Sequence, residues 1–408
     1  MSENEIALPL SVSVLAGAQN NVLVRTDTPF SSMRAEFLDT LSKILLTKPH
    51  VRQFSDVVSF AFWCRKASIS KKNLKWNERS GGKLSLGRGF AFHIAPSNVP
   101  VNFAFSFAFS LLAGNANIVR VPTKAFAQID IICEALEEAF QQYPELQVSN
   151  SFIRYEKKDE ISAHFSLASD CRILWGGDAT VDVIRRLPCR PRCIDVVFPD
   201  RYSVAVMNEK SVSALDEQGL HKLALDFYND TYLMDQNACS SPQIVFWYEK
   251  DAEGRAKFWS ALGAIAREKY ELQNAVAFEK YVHLCEDILE GYDNEVLNEF
   301  DSYLTRVNIS NLISQDSDEV SLSDLRGQGG YFYEADISAI SDIVPFVSRK
   351  YQSLVYFGID PKKLAKDIVG AKPQGIDRIV PVGTAMDIDL IWDGYDIVGE
   401  LSRIVDVR

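Results

Sequence analysis

The chain has 408 residues, of which 47% are hydrophobic and 24% charged, and its formal net charge is -12. This length and composition predict a globular protein of two domains with a large core. The acidic balance argues against nucleic acid or an anionic membrane surface as the main partner. The longest apolar run, residues 99–113, contains Asn102, Ser106 and Ser110 and is too short to span a membrane.

The seven cysteines are scattered along the sequence and show no short repeated spacing. Such usage predicts reduced thiols in a cytoplasmic protein. The acidic start of the chain lacks the basic segment that opens a secretory signal. Cys189 and Cys193 form a close pair, but the five histidines do not cluster near it, so we expect no metal site.

Strand-like and helical patterns alternate through the first half of the chain. The alternating phenylalanines of residues 103–109 would fit a strand, but Pro100 before them and Gly114 after them favour a buried helix. The other predicted elements are a strand-rich segment at 5–25, helices at 37–46 and 51–64, a strand at 84–93, a strand at 118–121, a helix at 124–143, a strand at 151–155, a helix at 159–167, a strand at 171–175, a helix at 181–186, and strands at 193–198 and 202–207.

This alternation of strands and helices predicts a doubly wound parallel sheet in residues 1–200. A second α/β domain is expected at residues 201–383, and the tail, residues 384–408, is expected to return to the first domain. The predicted elements of the second domain are a helix at 214–234, a strand at 244–248, helices at 255–270 and 277–289, strands at 303–309 and 353–357, and a helix at 361–369.

Cys239 lies in a polar turn between a predicted helix and a predicted strand. Its small neighbours, Ala238 and Ser240, leave the sulfur approachable, and a turn can aim the backbone N–H of Cys239 at the group that the sulfur attacks. An exposed sulfur beside amide donors is what a thiol nucleophile requires. A small buried hydrophobic cysteine is the alternative that these residues leave open.

Two other turns follow predicted strands. Asn98, in a polar turn before the buried helix, is either a helix cap or an amide donor to a developing oxyanion. Gly176 and Gly177 let a ligand approach the backbone at the end of a strand, and Asp178 or Thr180 would cap the next helix. Two glycines are a weak signal, because the longer Gly-rich dinucleotide motif is missing.

Taken together, five ordered stretches resemble the aldehyde dehydrogenase superfamily, and more closely its acyl-CoA reductase branch, the LuxC-type fatty acid reductases of bacterial bioluminescence. The resemblance spans roughly residues 84–400. It implies an α/β fold with a doubly wound cofactor domain and an α/β catalytic domain. The matching stretches are residues 94–100, 112–117, 175–178, the turn at 235–243, and 377–383 with 392–395.

The resemblance also implies roles for single residues. Cys239 would accept the acyl group as a thioester, and the Asn98 amide would help to form the oxyanion hole. Glu334 stands about where the superfamily has a carboxylate that binds the nicotinamide ribose, with a solvated surface residue as the alternative. The cofactor-binding set implied in this way is Pro96, Arg120, Pro122, Thr123, Lys124, Gly176, Gly177 and Glu334.

One departure from the superfamily bears on the reaction. Relatives that make free acids carry a glutamate between the Gly-rich turn and the cysteine, and this residue activates a hydrolytic water. The matching residues here, 198–203, contain no such glutamate. An acyl-enzyme without this base should resist water, which suits a reductase and disfavours oxidation of an aldehyde to an acid.

The sequence therefore predicts an acyl-CoA reductase that makes an aldehyde from acyl-CoA, or from a carrier-bound thioester, through acyl-Cys239. By the resemblance, Lys124 stands where NAD-selective relatives carry a glutamate, and with Arg120 it would favour NADPH over NADH; a solvated lysine that opens the next helix is the alternative. The resemblance suggests an acyl-protein synthetase as partner, and we expect a homo-oligomer. Two alternatives stay open: an acyltransferase or thioesterase that uses Cys239 without a cofactor, and a non-catalytic acyl-binding subunit.

Overall fold

The computed structural model describes residues 4–96, 98–156, 159–292, 301–313 and 321–408. The chain divides into two compact units, Met1–Asp200 with Asp389–Arg408, and Arg201–Ile388. None of the helices in the described ranges is long and apolar enough to cross a membrane.

The first unit begins with nine strands and eight helices. The strands are β1 (Glu5–Ala7), β2 (Ser13–Gly17), β3 (Asn21–Leu23), β4 (Ser85–Gly87), β5 (Phe90–Ile94), β6 (Ala116–Arg120), β7 (Asn150–Arg154), β8 (Cys171–Trp175) and β9 (Ile194–Phe198). The helices are α1 (Ser32–Thr47), α2 (Ser55–Trp63), α3 (Lys66–Ser80), α4 (Asn102–Leu112), α5 (Ala127–Gln142), α6 (Pro144–Gln147), α7 (Asp159–Ala168) and α8 (Asp178–Arg185).

In the described ranges of the second unit, the chain forms the next six strands and six α-helices. The strands are β10 (Tyr202–Asn208), β11 (Pro242–Tyr248), β12 (Thr305–Asn308), β13 (Tyr331–Ile337), β14 (Tyr351–Phe357) and β15 (Arg378–Pro381). The helices are α9 (Glu209–Ser213), α10 (Glu217–Thr231), α11 (Ala252–Lys269), α12 (Asn274–Leu289), α13 (Ser310–Ile313) and α14 (Pro361–Ala371). The returning tail adds β16 (Ile391–Trp392), β17 (Tyr395–Asp396), α15 (Ile397–Glu400) and β18 (Ser402–Ile404).

The main sheet of the first unit has the strand order β2-β7-β6-β5-β8-β9, and its pairs are parallel except for β2 with β7. Adjacent residues of β7 contact different helices. The Phe152 ring lies 4.8 Å from that of Phe107 on α4, whereas Ile153 belongs to the same cluster as Phe165 on α7. Since successive strand residues point to opposite faces, helices cover both faces, and the predicted doubly wound sheet is confirmed.

The phenylalanine-rich segment forms helix α4, as predicted. All its residues are buried except Asn102 and Phe105, which explains why the sequence shows no polar face. Two other predictions were too simple. The strand predicted at 84–93 is two strands separated by Gly89 at φ +138°, and the helix predicted at 51–64 is interrupted at Phe54, which has an extended backbone.

The second unit is built on a fully parallel sheet with the order β12-β13-β11-β10-β14-β15. Val204 and Phe246 pack in one buried cluster, and their neighbours Ala205 and Trp247 pack in another. Both faces are therefore covered, as is usual for parallel sheets.

The tail returns to the first unit later than the sequence suggests. Residues 384–388 belong to the second unit, because the Ala385 N–H donates to Asp230 Oδ1 at 2.9 Å and Ser240 Oγ donates to Met386 Sδ at 3.3 Å. Strand β18 then pairs with β4, with Ser402 opposite Gly87.

Candidate active site

Cys239 lies in a turn at the amino end of β11 and is partly exposed. The turn follows two residues with left-handed backbones, Asp235 at φ +49° and Gln236 at φ +64°. Such conformations cost about 1–3 kcal/mol each for residues other than glycine, so the surrounding structure must hold them in place.

The side chains of Gln236 and Gln243 supply that support. Gln236 is 1% exposed; its Nε2 donates to Tyr331 O at 2.9 Å, and its Oε1 accepts from the Gly330 N–H at 3.2 Å. Gln243 Nε2 donates to Gln236 O at 2.8 Å, and Gln243 Oε1 accepts from the Gly327 N–H at 2.9 Å. The two buried amides thus fix the turn to the segment that leads into β13.

Serine hydroxyls fix the turn from the other side. Ser203 Oγ donates to Cys239 O at 2.7 Å and accepts from the Ser353 N–H at 3.2 Å. Ser241 Oγ donates to Asp230 O at 2.8 Å. The backbone of Cys239 is therefore bound to the sheet through groups other than its sulfur.

Cys239 lines a small pocket of about 60 Å³, which we call the nucleophile pocket. Its described lining comes from three segments of the second unit. They contribute residues 201–203, residues 236–239 with Ser241 and Gln243, and residues 326–327. None of these described lining residues carries a carboxylate or an imidazole. The polar groups of the lining are hydroxyls, amides and two guanidinium groups.

The guanidinium groups belong to Arg201 and Arg326. Arg201 pairs with Asp377 and donates to Tyr351 O at 2.8 Å, so its position is fixed. Arg326 lies 5.5 Å from the centre of the Tyr202 ring, a cation–π contact, and Nη2 donates to Arg201 O at 3.3 Å. A cation beside a thiol favours the thiolate form.

Asn98 lies in the turn after β5 and is exposed. The N-cap of α4 is Val101, which makes no side-chain cap hydrogen bond. Asn98 lies outside the helix, so the capping alternative is wrong. The role of Asn98 as an oxyanion donor stays a prediction.

Gly176 and Gly177 follow β8, and Gly177 is the N-cap of α8. The expectation that Asp178 or Thr180 caps this helix is therefore wrong. A Cβ on Gly177 would meet no atom within 4 Å, and one on Gly176 would meet Thr180 at an ordinary 3.5 Å. Packing does not require glycine at either position, so both leave open space beside the start of α8.

Lys124 is exposed in the turn after β6, and its Nζ lies 5.0 Å from the centre of the Phe126 ring. Helix α5 begins only at Ala127, so the idea that Lys124 opens the helix is wrong. Arg120, the last residue of β6, has its guanidinium 4.6 Å from the centre of the Tyr155 ring.

A third cation, Arg154, lies beside the same turn. Its Nε donates to Pro122 O at 3.2 Å, next to the exposed Thr123. Its Nη2 is 3.9 Å from Asp130 Oδ1, beyond hydrogen-bond range. Arg154 Nη2 and Arg120 Nε are both buried and find no hydrogen-bond acceptor among the residues that the structure describes.

These candidates meet at one edge of the first sheet. β5 is hydrogen-bonded to β6 on one side and to β8 on the other, all parallel, so their carboxyl ends lie together. Pro96 and Asn98 follow β5, Lys124 follows β6, and Gly176 and Gly177 follow β8. From β5 the chain proceeds to β6 and β7 on one side of β5 and then crosses to β8 on its other side. This reversal of direction at β5 is the switch point, where doubly wound sheets bind ligands.

Glu334 does not fit the predicted cofactor role. It is 6% exposed, and its Oε2 accepts from the indole N–H groups of Trp247 at 2.7 Å and Trp259 at 2.9 Å. Arg306 Nη1 lies 3.5 Å from the other oxygen. The alternative of a solvated surface residue is wrong. Because the two indoles and Arg306 already hold the carboxylate, Glu334 is not part of the proposed cofactor site.

Sequence reasoning missed most of the residues around Cys239, among them Ser203, Gln236, Gln243 and Arg326. The two glutamines flank the cysteine and could have been noticed as polar side chains beside an apolar strand. Ser203 and Arg326 are far away in sequence, and no local signal connects them to the turn.

Comparisons with known proteins agree with this architecture. A family model of LuxC acyl-CoA reductase matches residues 66–285. A comparison with curated proteins finds no match. Among solved structures, aldehyde dehydrogenase 21 from Physcomitrella patens, in complex with the reaction product succinate, has a TM-score of 0.62 at 12% identity, covering 92% of this chain and 86% of that chain.

Two further aldehyde dehydrogenases are similar. A salicylaldehyde dehydrogenase from Pseudomonas putida G7 has a TM-score of 0.57 at 14% identity, over 93% of this chain and 85% of that one. An NAD-dependent benzaldehyde dehydrogenase from Corynebacterium glutamicum has a TM-score of 0.57 at 12% identity, over 93% and 86%. Identities this low show only that the folds are alike. The family model covers more than half of the chain, so it shows the family as well. The protein belongs to the LuxC acyl-CoA reductase family, a family of oxidoreductases, and has the aldehyde dehydrogenase fold.

Proposed function

We propose that this protein reduces an acyl thioester to an aldehyde with a nicotinamide cofactor, through a thioester on Cys239. The observation that carries the proposal is the composition of the nucleophile pocket. It holds a partly exposed cysteine on a fixed turn and two guanidinium groups, and its described lining has no carboxylate or imidazole. Such a pocket favours acyl transfer to sulfur, and its own described lining offers no base to activate water.

In the first step, Cys239 Sγ attacks the thioester carbonyl and the thiolate of the acyl donor leaves, taking up a proton from water. Arg326 and Arg201 favour the thiolate form of Cys239 through their charge. The Asn98 amide and the Cys239 backbone N–H are the proposed donors to the oxyanion, each worth roughly 3–4 kcal/mol to the transition state.

In the second step, the acyl group leaves Cys239 as an aldehyde. A reduced nicotinamide, when bound, would supply the hydride that the acyl carbon accepts in this step. The hemithioacetal on Sγ then collapses, the carbon–sulfur bond breaks, and its electron pair returns to sulfur. The oxyanion forms at the same position as in the first step, so the same donors serve both steps.

The carboxyl edge formed by β5, β6 and β8 is the proposed cofactor site. The open space at Gly176 and Gly177, beside the start of α8, suits a pyrophosphate, because a helix N-terminus attracts anions. Lys124, Arg120 and Arg154 bring positive charge to the turn after β6. These residues fit a dinucleotide whose ribose carries a 2′-phosphate.

The missing base leads to a first expected result. When the enzyme is acylated with acyl-CoA without reduced cofactor, the acyl group should remain on Cys239 for many turnover times. Intact-mass spectrometry at intervals measures its lifetime, and addition of NADPH should discharge it as aldehyde. Release of free acid as fast as the reductive turnover would instead identify a thioesterase with a base outside the nucleophile pocket.

The charge near Lys124 leads to a second expected result. NADPH should be preferred over NADH, and Lys124→Glu should lower the ratio of kcat/KM for the two cofactors about tenfold to a hundredfold, since a charge-assisted contact contributes about 1.5–3 kcal/mol. Lys83→Glu makes the same charge change at an exposed residue before β4 and serves as the control. A wild-type preference for NADH, or equal ratios in the two variants, would contradict the assignment.

A further inference from the structure

A groove of about 420 Å³ runs along α12 and shares lining residues with the nucleophile pocket. We call it the donor groove. One wall is formed by α12, including Phe278, Val282 and His283, and the other by the segment that contains Gln328 and leads to Tyr331. The groove lies entirely within the second unit.

The donor groove and the nucleophile pocket are neighbours, because Asn237, Arg326 and Gly327 line both. The nucleophile pocket, at about 60 Å³, holds only the reacting atoms, whereas the groove at about 420 Å³ has the size of a ligand site. The groove is therefore the neighbouring space that could receive one arm of a substrate whose carbonyl is at Cys239.

The lining of the groove mixes apolar and polar groups. Phe278 is 68% exposed and Val282 39% exposed, and both line the groove, so they offer apolar surface to a ligand there. The polar side chains of the lining include Glu279, His283 and Glu286 on α12 and Gln328 on the opposite wall. A plain alkyl chain would desolvate these groups without offering a hydrogen bond, at a cost.

The floor of the groove is rigid. Lys280 is 1% exposed, and its Nζ donates to Ser302 O at 2.8 Å and Gly329 O at 2.9 Å, which ties α12 to the opposite wall. Tyr331 OH donates to Asp287 Oδ2 at 2.5 Å. The groove is thus preformed, as ligand sites usually are.

We propose that the donor groove binds the pantetheine arm of the acyl donor. This arm carries two amides for the polar lining and a dimethyl group for Phe278 and Val282, and it begins at the sulfur that Cys239 displaces. The inference rests on the proposed thioester chemistry and names its substrate class. Coenzyme A and acyl carrier proteins both present this arm.

The test compares thioesters of one acyl group on three donors: coenzyme A, pantetheine, and N-acetylcysteamine, which keeps only the end of the arm. Phe278→Ser and Val282→Ser should lower kcat/KM about tenfold for the first two donors and less than twofold for the third. Leu289→Ser is the matched control, because Leu289 is 87% exposed on the same helix and does not line the groove. Melting temperatures verify that the variants are folded.

Other outcomes overturn the inference. Equal losses for all three donors, or none, would show that the arm does not use the groove. A loss that grows with acyl chain length on N-acetylcysteamine would assign the groove to the acyl chain. The wild-type enzyme is also assayed with the same acyl group on an acyl carrier protein. Phe278→Ser should lower kcat/KM for this substrate as it does for acyl-CoA. The donor that gives the wild-type enzyme the higher kcat/KM is then the source of the pantetheine arm.

A failure of the proposed function would be distinguishable. If no thioester acylates Cys239 and no aldehyde forms, the reductase proposal fails, and calorimetric binding of pantetheine still tests the groove. Weaker binding by Phe278→Ser than by Leu289→Ser would support it. Equal binding, or none, would overturn it.

Discussion

Replacement of Cys239 by alanine is expected to abolish acyl-enzyme formation and to lower kcat on the order of 10⁶-fold, as removal of a covalent nucleophile does elsewhere. The sulfur is the atom to which the acyl group is proposed to bind, so no other group can replace it. The fold should persist, because the turn is fixed by Ser203, Gln236 and Gln243 through contacts that do not involve the sulfur.

The measurement is intact-mass spectrometry and peptide mapping after incubation with acyl-CoA. Cys285→Ala is the control, since Cys285 is also partly exposed in the second unit and should be dispensable. Burial raises the pKa of the Cys64 thiol, and it raises that of Cys133 to about 12, so neither should react. An adduct on Cys285 or Cys64, or aldehyde output from Cys239→Ala, would refute the assignment.

The fold was predictable where local signals agreed with one another. Pro100 and Gly114 bracket a run of phenylalanines, and a helix between parallel strands is the arrangement that buries such a run on nearly every side. The first sheet could be predicted because short strand-like segments rich in Ile, Val and Phe alternate with helical segments along the chain. The breaks were harder to predict. The Gly89 N–H donates to Asn115 Oδ1, which is remote in sequence, and no local residue type marks the extended backbone of Phe54.

The candidate site was predictable only in part. Cys239 has a local signature, but the left-handed backbone of Asp235 and Gln236 has no glycine to announce it. Glu334 shows the limit most clearly. Its position in the chain suggested a ligand contact or the surface, whereas two tryptophans that are remote in sequence enclose it and satisfy its carboxylate.

The two sheets place their candidate groups at different edges. In the first unit, Asn98, Lys124 and Gly177 follow the carboxyl ends of strands, whereas Cys239 precedes the amino end of β11 in the second. A search for ligand sites at carboxyl ends alone, which is the usual rule for parallel sheets, would find the first group and miss the nucleophile. The thiol had to be found from its chemistry.

Asn98→Ala is expected to lower turnover on the order of 10²–10³-fold, as loss of one oxyanion donor does. The loss should appear in kcat more than in KM, because the amide binds charge that develops only in the transition state. Asn98 is exposed and caps no helix, so the free energy of unfolding should change by less than about 0.5 kcal/mol, as at other surface positions.

Asn98→Asp sharpens this test. The carboxylate has nearly the same shape as the amide but no N–H, and its negative charge opposes an oxyanion. Asn98→Asp should therefore lower turnover at least as much as Asn98→Ala does, with an equally small change in melting temperature. Near-normal turnover in either variant would exclude Asn98 from the oxyanion hole. A loss matched by a fall in melting temperature would instead assign the residue to the stability of the turn after β5.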